Sequence, residues 1–257
     1  MSMPNAMTTV ADILPSWNTA VFRFTVFSTA EYKLGEVQQW WKAIAGSPER
    51  DASSQNLGKV LQVAGSTADY MGQIIVQNRQ RVDFVFKEPM GTQGGVVGGL
   101  GKWSVVRALA DKVVNVAVSN LGNVKRVAYA PELVRESTAL ESVRVIRAYM
   151  GGISESWDST DELSLNINLH RNYSGPGGRI NRVVSISIAK VIWGIPVTGG
   201  TVEVDLETHK DQKPITRLTI DVNNRQATDD MSVEELKTVS QTCVQFANQF
   251  IEQGVRT

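Results

Sequence analysis

Leu163-Ser164-Leu165-Asn166-Ile167-Asn168-Leu169-His170 alternates aliphatic and polar residues without a break. A side-chain period of two belongs to a β-strand, and it sends Leu163, Leu165, Ile167 and Leu169 to one face of a sheet. The same rhythm returns in Val184-Ile186-Ile188, in Val202-Val204-Leu206 and in Leu218-Ile220-Val222. Ser185, Ser187, Glu203, Asp205, Glu207, Arg217, Thr219 and Asp221 fall between them, on the opposite face. Alternation of this kind marks an antiparallel sheet with one buried face. Asp229 or Ser232 then starts a helix that runs to Gln253, with Val233, Leu236, Val239, Cys243, Phe246 and Phe250 along one stripe. That stripe is wide enough to cover the apolar sheet face.

Upstream, Val21 to Phe27 is rich in aromatic and β-branched residues and reads as a strand. Ser28 or Thr29 can cap the helix behind it, whose inner face is Leu34, Val37, Trp41 and Ile44. Glu49 to Asn56 reads as a loop, followed by strands at Lys59–Ala64, Gln73–Gln77 and Arg81–Phe86. Asn78-Arg79 marks a tight turn, since Asn tolerates positive φ. A second helix is expected from Lys102 to Ser119, with Trp103, Val106, Ala110, Val113 and Ala117 inward and Gly122 as its C-cap glycine. Val124 to Tyr129 reads as a strand halted by Pro131, and Glu136 to Met150 fits a helix as well as a strand near Val143 to Ile146. The fold class is therefore α+β, with two antiparallel-sheet-plus-helix halves. The C-terminal half is expected to be a four-stranded sheet covered by the long terminal helix. Residues 1–17 read as a mobile end, 18–121 as an N-terminal β/α module and 122–257 as the C-terminal half.

At 257 residues, 42% hydrophobic and 20% charged, the chain has ordinary globular composition and length enough for an adequate core. Lys plus Arg and Asp plus Glu balance at 26 each, without the basic excess or stripe of a duplex-binding protein, so no nucleic acid is expected. Met90 to Leu100 is too short and glycine-broken to span a bilayer, and no charged-then-apolar leader opens the chain. One cysteine, Cys243, excludes an internal disulfide framework and suits a reducing, cytoplasmic compartment.

The hairpin Gln73-Ile74-Ile75-Val76-Gln77-Asn78-Arg79-Gln80-Arg81-Val82-Asp83-Phe84-Val85-Phe86 carries a family likeness. So do the helix from Trp103 into Val124-Lys125-Arg126-Val127-Ala128-Tyr129, the entry Gly178-Arg179-Ile180-Asn181-Arg182-Val183, and the final helix. Together, over residues 20–253, they resemble a sporadically distributed, functionally uncharacterised bacterial protein family. The resemblance implies the fold and an accessory role, of the kind played in conflict with phage or plasmids. It brings no catalytic residues with it.

The most conspicuous motif is Gly94-Gly95-Val96-Val97-Gly98-Gly99-Leu100-Gly101-Lys102-Trp103-Ser104, between a strand and a helix. A phosphate-cradling loop needs bare amides at a helix N-terminus and a lysine reaching the phosphates, which makes Gly98, Gly99, Gly101 and Lys102 candidates. Val96 stands where the first glycine belongs, however, and Trp103 where a magnesium-binding Ser or Thr belongs. The plainer reading is a flexible connector.

Glu203, Asp205 and Glu207, with Asp221 on a neighbouring strand and His170 and His209 nearby, are the candidate hard-cation ligands. Alternate strand residues stand roughly 6–7 Å apart, so other strands would have to converge. The plainer reading is a solvated face whose carboxylates pair with Arg217, Lys190 or Arg182. Cys243 lies on an apolar stripe and is expected to be an inert small hydrophobe. Trp40 and Trp41 sit about 100° apart on one helix. Trp41 continues the inner face, which leaves Trp40 toward an edge as the candidate protein-binding residue.

Two functions fit these features. One is a non-enzymatic binding or assembly protein that contacts a protein partner or itself, most simply as a homodimer, with no cofactor. The other is a nucleotide- or metal-dependent enzyme or sensor using the Gly94–Gly101 loop or the acidic face.

Overall fold

Phe22, Phe24 and Val26 on one strand and Val127, Tyr129 and Leu133 on its neighbour are completely buried, and their backbones join the two halves of the chain. The computed structural model describes residues 9–88, 98–151, 163–172, 175, 178–192 and 212–255. After a short helix α1 (Val10–Ile13) and a 3-10 turn, the order is β1 (Asn18–Ser28), α2 (Leu34–Ala45), β2 (Asp51–Gln55), β3 (Val60–Ser66), β4 (Met71–Gln77), β5 (Arg81–Lys87) and α3 (Trp103–Asn120). Then come β6 (Val124–Glu136), α4 (Ala139–Met150), β7 (Ser164–Asn172), β8 (Arg179–Ile192), β9 (Gln212–Asn224) and α5 (Val233–Gln253). The protein is mixed α+β, and its terminal helix packs on the sheet.

The strands form one antiparallel sheet in the order β2-β3-β4-β5-β1-β6-β9-β8-β7. The two halves thus share a sheet, rather than each closing its own. Seen from either end the order follows one plan. Each half starts on a central strand, crosses a helix to an outer edge, returns strand by strand to the centre, and finishes on a second helix. Helices α2 to α5 pack on one face, where period-two alternation places Leu61, Val63, Ile74, Val76, Phe84, Phe86, Val184, Ile186, Leu218, Ile220 and Val222. Val134 and Ile215 form a small separate cluster on the opposite face.

Several local expectations change. Glu49–Asn56 contains strand β2, whose five residues are all exposed and so carry no apolar alternation. Pro131 does not halt β6, which pairs with β9 at Tyr129↔Val222 and resumes in the same register at Glu132↔Thr219. A missing N–H costs the ladder a rung, not the strand. The ambiguous segment is helix α4, opened by Thr138 with Glu141. Lys33, not Ser28 or Thr29, precedes α2; Ser28 ends β1 and donates from its hydroxyl to the Gly122 carbonyl. Left-handed backbone falls on Arg79 (φ 62°) and Asn123 (φ 51°) rather than on Asn78 and Gly122. Asn78 is instead a clamp: its side-chain amide donates to the Tyr32 and Gly58 carbonyls, and its Oδ1 accepts from the Tyr32 N–H. The expected strand at Val202–Leu206 lies outside the described residues.

Helices α4 and α5 each begin with a reciprocal box, Thr138 with Glu141 and Ser232 with Glu235. Both carboxyls are held below the usual glutamate range, chiefly by accepting the N–H of their own cap residue. A carboxyl depressed by folding adds stability above its unfolded pKa, and loses it as pH falls through the folded value. Glu141→Gln with Glu235→Gln should therefore lower the urea midpoint at neutral pH, and the gap to the parent should narrow between about pH 6 and about pH 3. A gap of constant size across that range would show that the boxes are not its source.

Candidate functional site

With four helices on one face, the other face of the sheet carries no helix among the described residues. Its central floor is Thr25 from β1 and Ala128 and Ala130 from β6, with Thr25 directly across from Ala128 and Arg23 across from Ala130.

Much of the charge on this face is engaged within the face. Arg81 Nε lies 3.0 Å from Asp83 Oδ2, while Asp83 Oδ1 accepts from the Thr25 hydroxyl at 2.7 Å. Arg217 Nε lies 3.2 Å from Glu132 Oε1. Arg126 rests 4.9 Å from the Phe27 ring centroid and donates to Asn223 Oδ1, and the Asn223 amide donates to Asp221 Oδ1 at 2.8 Å. The surface is a mosaic of amides, hydroxyls, methyl groups and two ion pairs, with the exposed Arg23 beside its centre.

Of the acidic set, only Asp221 falls among the described residues, and it stands in this hydrogen-bonded row. Glu203, Asp205, Glu207 and His209 lie outside the described residues; His170 is on β7, with its side chain outside them. Among the described residues no three His, Cys, Asp or Glu side chains converge as metal ligands would.

The glycine-rich candidates occupy the end of β1. The Leu100 N–H donates to the Thr19 carbonyl, the Gly101 N–H to the Gly98 carbonyl, and the Thr19 N–H to the Gly101 carbonyl. Two amides of the supposed cradle are thus already spent on backbone. A Cβ on Gly98 would meet Asn18 and Val134 at 2.7 and 2.8 Å, and one on Gly99 would meet the Glu88 carboxyl group. A carboxylate at that position is unfavourable to phosphate. Lys102 is exposed, directly before α3.

Trp40 is not at an exposed edge. It is 4% exposed, edge-on to Tyr32 with ring centroids 5.1 Å apart, and tilted against Phe84 at 6.5 Å. Trp41 stacks on Phe86, so both indoles belong to the core. The inner surface of α2 is wider than one stripe because Tyr32 and Phe84 extend the core to Trp40.

Cys243 is fully buried, and burial raises its thiol pKa far above neutral. Cys243→Ser should cost about 1–3 kcal/mol by burying a hydroxyl, while leaving function intact. Rapid reaction of the native thiol with a thiol reagent would contradict this placement.

Sequence reasoning missed a groove of about 700 Å³ between α3 and α5, lined by Arg107, Asp111, Gln241, Gln245, Asn248 and Glu252 among others. Its signal was legible as Gln241, Gln245 and Gln249 at four-residue spacing on one side of α5. Asn248 Oδ1 accepts from Trp103 Nε1 at 3.1 Å, tying the two helices together. Compared with known protein-family models and with curated proteins, the sequence matches none.

Proposed function

We propose that this chain is a non-enzymatic binding and assembly protein that acts through protein–protein contacts on the helix-free face of its sheet. The observation that carries the reading is a wide antiparallel sheet with its helices on one side among the described residues and, on the other, Thr25, Ala128 and Ala130 at the centre flanked by the ion pairs Arg81–Asp83 and Arg217–Glu132. The face offers short side chains and hydrogen-bonding groups, as protein interfaces do. A second copy of the chain is the simplest occupant, since symmetric dimers are the commonest oligomers. The setting is an accessory role in a bacterial cytoplasm.

The test pairs Ala128→Arg with Ala130→Arg at the centre of the face. The double variant should keep the parental melting temperature while losing the protein that the parent retains, whether a second copy or another chain. A panel of nucleotides and divalent cations should leave the melting temperature unchanged. A ligand present at one hundred times its Kd would add about 2.7 kcal/mol, so a clear rise with any of them would overturn the reading in favour of a ligand-dependent enzyme or sensor.

A further inference from the structure

The middle of α5 departs from the usual make-up of a surface helix, whose outer side is charged. From Thr238 to Ile251, about four turns, it carries no charged residue, although Lys237 and Glu252 stand at either end of that stretch. Gln241, Gln245, Gln249 and Gln253 recur instead at a spacing of four, and all of them line the groove between α5 and α3. Asn115 lines it from α3. None of these amide side chains makes a hydrogen bond among the described residues, so each keeps both a donor and an acceptor to offer. Depletion of charge beside unspent hydrogen-bonding groups is the make-up of a contact surface.

The spacing selects the ligand. Residues four apart on a helix rise about 6.0 Å, and peptide groups turned to one side of an extended chain repeat about every 6.6 Å. Each side-chain amide can therefore pair with the N–H and C=O of such a chain, as a neighbouring strand does. From Gln241 to Gln253 the row rises about 18 Å, the length of roughly five or six extended residues. One arginine and two carboxylates line the groove, a balance that repels a polyanion, and no three metal-binding side chains converge among the described residues. The walls are also held in advance. Arg107 lies 3.8 Å from Glu252 across the groove, and Trp103 on α3 donates to Asn248 on α5, which reduces the ordering that binding must supply. Near Arg107 and Asp111 the buried Tyr129 hydroxyl has no hydrogen-bond partner among the described residues. Burial raises its pKa well above the ordinary value, with Asp111 adding to the rise and Arg107 opposing it, so a donor without an acceptor stands at this end of the groove.

We propose that the α3–α5 groove binds an extended peptide segment through its main chain, with the row from Gln241 to Gln253 as the ladder; the contact is separate from the helix-free face. The probe is a capped hexapeptide of alternating Thr and Val, titrated into the full chain while the glutamine side-chain NH2 signals are followed by NMR. Those of α5 should shift and saturate, with a Kd below about 1 mM. Exchanging the Thr and Val positions should leave the affinity within about threefold, because side chains are not what is read. The same hexapeptide N-methylated throughout keeps its side chains but has no N–H, and should not bind. Gln245→Ala with Gln249→Ala should weaken the parent peptide at least about tenfold while melting no lower, since alanine favours a helix. Ala128→Arg with Ala130→Arg should bind the peptide unchanged. No shift at millimolar peptide would overturn the proposal, as would equal binding of the N-methylated peptide. Unchanged affinity in the glutamine variant, or loss of binding in the Ala128 and Ala130 variant, would place the peptide elsewhere and overturn it too.

Discussion

Gly65→Val should be among the most damaging single substitutions in this protein, lowering its unfolding free energy by about 3 kcal/mol or more. Gly65 on β3 and Gly72 on β4 sit directly opposite each other in the ladder. Both lie under the Trp41 ring of α2. A Cβ on Gly65 would come within 2.8 Å of Trp41 Cε2, and one on Gly72 would meet Phe86 at 2.6 Å and Trp41 Cζ3 at 2.9 Å. Neither glycine has positive φ, so the requirement is space for the indole and not backbone freedom. Trp41 is completely buried and stacks on Phe86 with 11° between the ring planes, so it has nowhere to retreat. Denaturant melts of Gly65→Val, Trp41→Leu and the double variant provide the check. The smaller side chain should recover part of the loss, making the double variant less damaged than the sum of the singles. Strict additivity would mean that Trp41 does not set the requirement for glycine.

These glycines also show where the sequence was readable. Alternation over Leu165–Leu169, Val184–Ile188 and Leu218–Val222 reveals β7, β8 and β9, because each turns its aliphatic residues to one side, half-buried on β7 and covered by α4 and α5 on β8 and β9. The stripe through Leu236, Val239 and Cys243 likewise revealed α5, whose buried side faces one sheet. Strand β2 escaped notice because Asp51-Ala52-Ser53-Ser54-Gln55 is an edge with neither face buried, so nothing imposed a period. Trp40 was misplaced for the opposite reason. A single helix stripe leaves Trp40 at an edge, whereas Tyr32 and the sequence-distant Phe84 extend the core to its ring. The joining of the halves through β1 and β6 was invisible too, since strand pairing between segments a hundred residues apart leaves no local trace. The helix-free face could be read only as the polar half of each alternation. Which charges on it pair, such as Arg217 with Glu132, depends on a register that no single strand encodes.

Tyr149→Phe should cost about 3 kcal/mol, although it removes one oxygen atom from a core that remains well filled. The Tyr149 hydroxyl donates to the Ile251 carbonyl at 2.7 Å and accepts from Trp17 Nε1 at 2.9 Å, and all these groups are buried. One atom thereby connects the segment before β1, the end of α4 and the last turn of α5. Its removal leaves an indole donor without an acceptor and takes a side-chain partner from a carbonyl near the α5 terminus. An unsatisfied buried group costs about 1–3 kcal/mol, which is why the loss exceeds the worth of a single hydrogen bond. The backbone strengthens the junction: the Val255 N–H donates to the Tyr149 carbonyl at 2.7 Å, and Gly254, at φ 68°, turns the chain so tightly that a Cβ there would lie 2.7 Å from the same oxygen. Burial raises the phenol pKa well above its ordinary value, so the hydroxyl keeps its proton and its donor role across the physiological range. The loss in Tyr149→Phe should therefore be the same at pH 6 and pH 9, as no titration intervenes. Hydrogen exchange gives the sharper reading. Amides around Trp17 and in the last turn of α5 should lose protection together, while those of β3 and β4 fall only with global stability. Protection lost at the α5 terminus alone would show that Tyr149 caps one helix and does not tie three segments into a unit.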